Sequence, residues 1–320
     1  MRFTLFVLFL PFFLPAQISL FDELCVAGDT VLVEVETDWK KLLRNKHEKA
    51  YRDATFLIAG QSFEGRIRTR GHARLSACRF PSLKVKLKKK PLVNAGYNEL
   101  NDLKFVLQCN SSRSGQAYLR RERLLYDLYA IVSPYSHRTL PVRWVLPDGD
   151  TLQGFFIEAE EQLEARLDAE VYKIERVSTR SVDRTAYLTL CLFNYMILNT
   201  DWNVFNLHNV ECLRSRQDDR LIPVAYDFDY SGLVEAHYAV PREDLQMESI
   251  YEPRFLGRHV TQEELAAVAK RFLEHRDSLL QRVHDDHELA DAYRERTLAR
   301  LQDFFDELQD AGRLSKLASN

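Results

Sequence analysis

The chain has 320 residues, 46% of them hydrophobic and 28% charged, with a formal net charge of −3. That balance is ordinary for a globular protein and argues against a nucleic-acid binder working through bulk electrostatics. Only 11 residues are glycine, which excludes collagen-like, linker-array and glycine-rich repeat architectures.

Met1-Arg2-Phe3, an almost unbroken apolar run from Leu5 to Leu14, and then Pro15-Ala16-Gln17 predict a secretory signal peptide over 1–16, cleaved near Ala16. The run is shorter than the roughly 20 apolar residues of a spanning helix and is interrupted by prolines, which disfavours the alternative of an uncleaved anchor. No later segment reaches that length, so the expected product is exported without a transmembrane helix, to the periplasm, the cell surface or the medium. Export permits disulfides. Of the five cysteines, Cys78 and Cys109 are the first pair to expect, since both lie near strands of one lobe, while Cys191 sits in an apolar helix as a buried thiol.

From Thr30 to Leu107 the pattern is strand-like: Val31–Val35, Ala54–Ile58, Ser62–Thr69, Leu83–Leu87 and Lys104–Leu107 alternate and are rich in β-branched residues, predicting an antiparallel sheet. A helix is expected around Asp38–Lys49, and Leu124, Leu125, Leu128 and Ile131 predict an amphipathic helix over Ala117–Val132. Val142–Leu146 and Thr151–Ile157 flank Pro147-Asp148-Gly149-Asp150, a hairpin turn. Tyr187–Leu198 is apolar on nearly every face and too short to span a bilayer, so it reads as a core helix. Short strands follow at Val210–Leu213 and Leu221–Tyr226. Thr261 and Glu264 form a capping-box pattern ahead of a helix running to Val283, and a last helix uses Leu289 to Leu308. The expected fold is α+β in two lobes: 17–160 β-rich with one helix, and 161–320 mostly helical, a protein-kinase-like layout.

The stretch richest in chemistry is Asn199-Thr200-Asp201-Trp202 with His208-Asn209, followed by Tyr226-Asp227-Phe228-Asp229-Tyr230-Ser231-Gly232. A buried helix delivers Asp201, a loop delivers Asn209, and a short hairpin ends at Asp227. Phosphoryl transfer needs that order: one carboxylate orients or deprotonates the acceptor hydroxyl, while a carboxamide and a second carboxylate hold magnesium against the nucleotide phosphates.

These motifs, together with Arg70-Gly71, Cys78, Phe80-Pro81-Ser82-Leu83-Lys84 and Gly154–Glu158, resemble the CotH kinase family, and within it a poorly characterised bacterial subgroup. The resemblance covers most of the mature chain. It implies a protein-kinase-like fold using ATP with Mg²⁺ or Mn²⁺, in which Asp201 takes the catalytic-loop role and Asp227 binds metal. It also implies that Lys84 contacts nucleotide phosphates and pairs with Glu122 on the helix of the first lobe. Asp229 stands as a second metal ligand or as the cap of the following turn. The spacing from Asp201 to Asn209 is longer than in protein kinases, where Asn206 would fit; Asn209 is preferred because it precedes a strand.

No glycine-rich phosphate loop is visible, since Arg66–Leu75 holds only Gly71, and arginines such as Arg70 would supplement backbone amides. Each assignment has a plainer counterpart. Asp227 and Asp229 suit strand-end turns, His208 suits a loop-holding hydrogen bond, and Lys88–Lys90 suit a solvated edge strand. Arg70, Arg74 and Arg79 suit surface charge balance, Glu122 a surface salt bridge, and Glu158 a solvent-facing position beside Glu160 and Glu161. The partners expected are a nucleotide and an unknown protein or small-molecule acceptor. A catalytically inactive, pseudokinase-like envelope binding protein is the alternative, and a metal-dependent hydrolase a third.

Overall fold

A computed structural model describes residues 17–319; the expected signal peptide lies outside them. Seven strands close into a barrel: β1 (Val31–Glu36), β2 (Arg52–Ile58), β3 (Gln61–Arg70), β4 (Ser82–Leu87), β5 (Asp102–Leu107), β6 (Thr139–Val145) and β7 (Thr151–Ile157), in the order β1-β2-β3-β4-β5-β7-β6. Alternation sets which side chains point in: Val31, Val33 and Val35 of β1 are buried while Leu32, Glu34 and Glu36 face out. Inside, Trp144 lies edge-on to Phe105 at 4.7 Å, and Phe105 tilts against Phe156 at 4.3 Å. Closure comes from β1 running parallel to β6, with Val33 opposite Trp144.

The antiparallel pairing expected of these strands holds from β1 through β5, and the barrel adds to it a parallel closing pair. Its closing pair joins strands far apart in sequence, which alternation within each strand cannot reveal. Closure also leaves no edge strand: β4 is paired with both β3 and β5, so an edge-guarding role for the lysines that follow it falls away.

The expectation of one helix in the first half is corrected too. Around the barrel lie α1 (Leu20–Ala27), α2 (Trp39–Arg44), α3 (Ala73–Ala77), α4 (Lys89–Asn94) and α5 (Arg113–Val132). Three of these are one or two turns long, too short for a 3.6-residue period to register. α1 is set by a reciprocal capping box between Ser19 and Asp22 and puts Leu20, Phe21 and Leu24 into the barrel core. The helix expected at Asp38–Lys49 ends at Arg44 and continues as a 3₁₀ turn, Lys46–Glu48.

α5 belongs to a second, larger core. It packs with α7 (Arg184–Met196), buried from Ala186 through Met196 as its all-apolar pattern predicts. The same core takes in the C-terminal helices α8 (Gln262–Glu274), α9 (Arg276–His284), α10 (Asp291–Gln309) and α11 (Ala311–Ala318). Thr261 and Glu264 cap α8 reciprocally; the single helix expected to run on to Val283 breaks at His275. Between these parts lie α6 (Glu160–Leu167) and a sheet of β8 (Ala169–Val171), β9 (Val210–Ser215) and β10 (Leu221–Ala225), of which β8 has too few residues to show a pattern. Among the described residues no helix is long and apolar enough to cross a membrane.

Glu158 departs from its expected solvent-facing place. It is fully buried at the end of β7, taking Arg138 Nε at 2.9 Å and Arg166 Nη2 at 2.7 Å, and Arg138 also reaches Asp22 of α1 at 2.6 Å. Burial would raise its carboxyl, but Arg166 and Arg138 outweigh burial and hold it below the usual carboxylate range. Two arginines distant in sequence make the burial tolerable.

Candidate functional site

The path from α7 to Asp201 is fixed by side chains of the Asn-Thr-Asp-Trp motif. Leu198 takes a left-handed conformation (φ 59°) and turns the chain out of the helix. Asn199, buried, donates to Asn194 Oδ1 at 2.8 Å and accepts from the Asp201 N–H at 3.0 Å. The Trp202 indole donates to the Asn199 carbonyl at 3.1 Å. Asn203 and His208 then exchange backbone hydrogen bonds at 2.9 and 3.0 Å, folding the loop back on itself. As a result the His208 ring lies 2.7 Å from Asp201 Oδ1, while the Asn209 amide donates to Asp201 Oδ2 at 3.0 Å and to its carbonyl at 2.7 Å.

Both carboxylate oxygens of Asp201 are thus held. His208 is half-exposed, and its hydrogen bond to Asp201 raises its pKa; the ring secures the loop, as its plainer reading expects. Asn206 is exposed and away from this cluster, whereas Asn209 is in it.

β10 delivers the next carboxylates. Asp227 is left-handed (φ 61°), and its N–H donates to the hydroxyl of Tyr126 on α5 at 2.8 Å. Phe228 plugs into the core between Tyr126 at 4.8 Å and Phe193 at 5.5 Å, which fixes the flanking aspartates. Asp229 is buried, accepts from the Tyr238 hydroxyl at 2.9 Å, and sits 3.5 Å from Arg74 Nε.

Asp201, Asn209, Asp227, Asp229, Glu122 and Arg70 all line one cavity of about 580 Å³. At its rim Gly71 (φ +90°) turns the chain from β3 toward α3 in a conformation that side chains rarely adopt. Burial, aided by Asp227, pushes the Glu122 carboxyl up to about 7 against the pull of Arg74 and Arg70. Burial also drives Asp229 well above the carboxylate range, with Asp227 and Glu122 adding to it. Glu122, Asp201, Asp227 and Asp229 thus line one cavity together with Arg70 and Arg74. Glu122 Oε2 and Arg74 Nη2, both buried, face each other at 3.4 Å as an ion pair without hydrogen-bond geometry.

Lys84 is not part of this cavity, and the expected Lys84–Glu122 pair is corrected. Lys84 bonds Asp102 at 2.7 Å, and Glu122 instead faces Arg74 at 3.4 Å. The reason is register: Lys86 pairs with Asp102 across β4 and β5, which makes Asp102 the diagonal neighbour of Lys84, while the one-and-a-half-turn α3 carries Arg74 in over α5. Arg74 is buried, unlike Arg79, which is exposed over the ring of Phe80. The Cys78–Cys109 disulfide, formed as expected, ties the end of α3 to the segment entering α5. Tyr126 and Tyr238 carry no sequence signal for their roles; only packing brings their hydroxyls to Asp227 and Asp229.

For a hard divalent cation the donor set is suitable but sparse. Asp227 and Asn209 offer oxygens on the cavity wall, and the Asn209 nitrogen is spent on Asp201, which turns its oxygen away from that carboxylate. Asp229 has one oxygen committed to Tyr238 and Arg74. Among the described residues no three acidic, histidine or cysteine side chains converge as a ready cage. Magnesium commonly uses one or two carboxylates plus substrate phosphates, so these residues fit it only together with a phosphate ligand.

No protein-family model matches the chain, and no curated protein matches it. Among solved structures, it is similar to a Helicobacter pylori proinflammatory kinase, CtkA, at a TM-score of 0.44 and 8% identity, over 74% of this chain and 91% of that one. A likeness that distant assigns neither family nor activity.

Proposed function

We propose that the chain is a two-lobed phosphotransferase that moves a phosphoryl group from a nucleotide, ATP in the first instance, to a hydroxyl of a protein or small molecule. The observation that carries this reading is the meeting of Asp201, Asn209 and Asp227, from separate segments, in one cavity with Arg70 and Arg74. Asp201, with both oxygens held, would orient the acceptor hydroxyl and take its proton. Arg70 would meet phosphate oxygens at the rim. Asp227 and the Asn209 carboxamide would hold Mg²⁺ or Mn²⁺, which when bound neutralises charge on the phosphates. In this layout 17–160 is the first lobe and 161–320 the second, with α5 docking one on the other. The leader pattern and the Cys78–Cys109 disulfide support export as the setting.

The test is transfer from labelled ATP with Mg²⁺ or Mn²⁺, alongside thermal stabilisation by nucleotide. Asp201→Asn should lose transfer by about 100-fold or more yet keep the nucleotide-induced rise in Tm. Asp227→Ala should lose both. Wild type showing neither transfer nor autophosphorylation, and equal to Asp227→Ala, would sink the reading. The position of Lys84, held by Asp102 outside the cavity, favours a second one: a pseudokinase-like envelope module that binds nucleotide without turnover. Stabilisation without transfer would select it.

A further inference from the structure

The outer face of β3 presents Arg66, Arg68 and Arg70 at every second position, and Arg70 opens into the cavity that holds Asp201. Across the barrel wall Arg66 is opposite Lys86 and Arg68 is opposite Lys84, which is in turn opposite Lys104. Like charges directly across a ladder oppose each other's placement. β4 is interior to a closed barrel, so guarding an edge does not explain them.

The compensating acids are unevenly spread. Asp102 serves Lys84 and Lys86, Lys104 is taken by Glu160 and Glu211, and Asp53 is in register with Arg66. Arg68 donates to the Thr69 carbonyl at 3.2 Å, and Arg66 and Arg68 lie 5.1 and 5.2 Å from the centre of the Tyr51 ring. Among the described residues none of these three arginines has a carboxylate within ion-pair distance. That is notable in a chain whose 47 acidic residues outnumber its 44 basic ones.

We propose that this arginine row docks an acidic, extended segment of a polypeptide acceptor, laying it along β3 so that its hydroxyl enters the cavity beside Asp201. The spacing supports a polypeptide: alternate side chains of an extended peptide repeat at about 6.6 Å, the spacing of alternate residues on β3 itself. Guanidinium groups bind carboxylates through paired hydrogen bonds, and two of them lie over the Tyr51 ring, which leaves them no competing carboxylate. The inference rests on the phosphoryl-transfer reading for what happens in the cavity, but the docking can be measured alone.

Fluorescence anisotropy of the full protein with a labelled serine peptide carrying glutamate at alternate positions, against its glutamine counterpart, reads the preference directly. The glutamate peptide should bind at least ~10-fold more tightly at low salt, with the ratio shrinking as ionic strength rises. Arg66→Gln with Arg68→Gln should remove most of that ratio. Equal affinity of the two peptides for wild type overturns the inference without any variant having to fold. Single-stranded DNA of equal charge displacing the peptide more effectively than unlabelled glutamate peptide overturns it in favour of a nucleic-acid surface. If nucleotide stabilises the protein but the peptides do not differ, the acceptor class fails alone; if the peptides differ and no nucleotide stabilises, the phosphoryl-transfer reading fails instead.

Discussion

At the scale of single residues, the chain repeatedly buries a charge against a partner far away in sequence. Glu158 is the simplest case, since it lies outside the cavity and meets Arg138 and Arg166 with good geometry. A carboxyl held below its ordinary value contributes stability that is complete above about pH 4.3 and lost as pH falls through the lowered folded value. Glu158→Gln should therefore destabilise by about 2–3 kcal/mol at pH 7, less than for a sealed pair because both arginines keep some contact with water. Urea unfolding at a series of pH values should show the gap between wild type and variant closing toward pH 3; a gap independent of pH would show that packing, not charge, is lost. In the cavity, Glu122 and Asp229 share Arg74 and crowd Asp227.

At the scale of elements, the site depends on α3 being held over α5. Five residues of helix cannot sustain themselves in water, and the Cys78–Cys109 disulfide at its end supplies the anchor across a separation of 31 residues. Closing a loop of that length stabilises by about 3–4 kcal/mol in the chain-entropy account. Reduction, or Cys78→Ser with Cys109→Ser, should lower Tm and also weaken whatever the cavity binds, because Arg74 loses its tether to Glu122. Equal nucleotide-induced stabilisation in the oxidised and reduced protein would separate the disulfide from the site. The β9–β10 hairpin plays the matching part on the other side, bringing Asn209 and Asp227 to its two ends with Tyr226 N–H bonded to the Asn209 carbonyl at 3.2 Å.

At the scale of the whole molecule, the closed barrel carries Arg70 to the cavity, and its interior is packed around an aromatic centre. Trp144 is fully buried, yet its indole N–H has no partner among the described residues. Trp144→Ala should cost about 3–5 kcal/mol by opening a cavity, whereas Trp144→Phe should cost well under half of that, since it also removes an unsatisfied donor. Midpoints of urea unfolding would order the two; equal losses would place a hidden hydrogen bond on the indole.

What the sequence determined by itself is local. Alternation drew the strands, the all-apolar run drew α7, Thr261 and Glu264 drew the start of α8, and the order Asp201, Asn209, Asp227 was legible because a loop and a hairpin bring near neighbours together. What only the tertiary structure decided is non-local: the β1–β6 closure, the choice of Arg74 over Lys84 for Glu122, the clamp on Glu158, and the tyrosines that hold Asp227 and Asp229. The physical reason is that periodicity and capping act within a few residues of chain. Charge compensation in a buried site, by contrast, depends on which distant side chain the closed barrel and packed helices bring within about 4 Å.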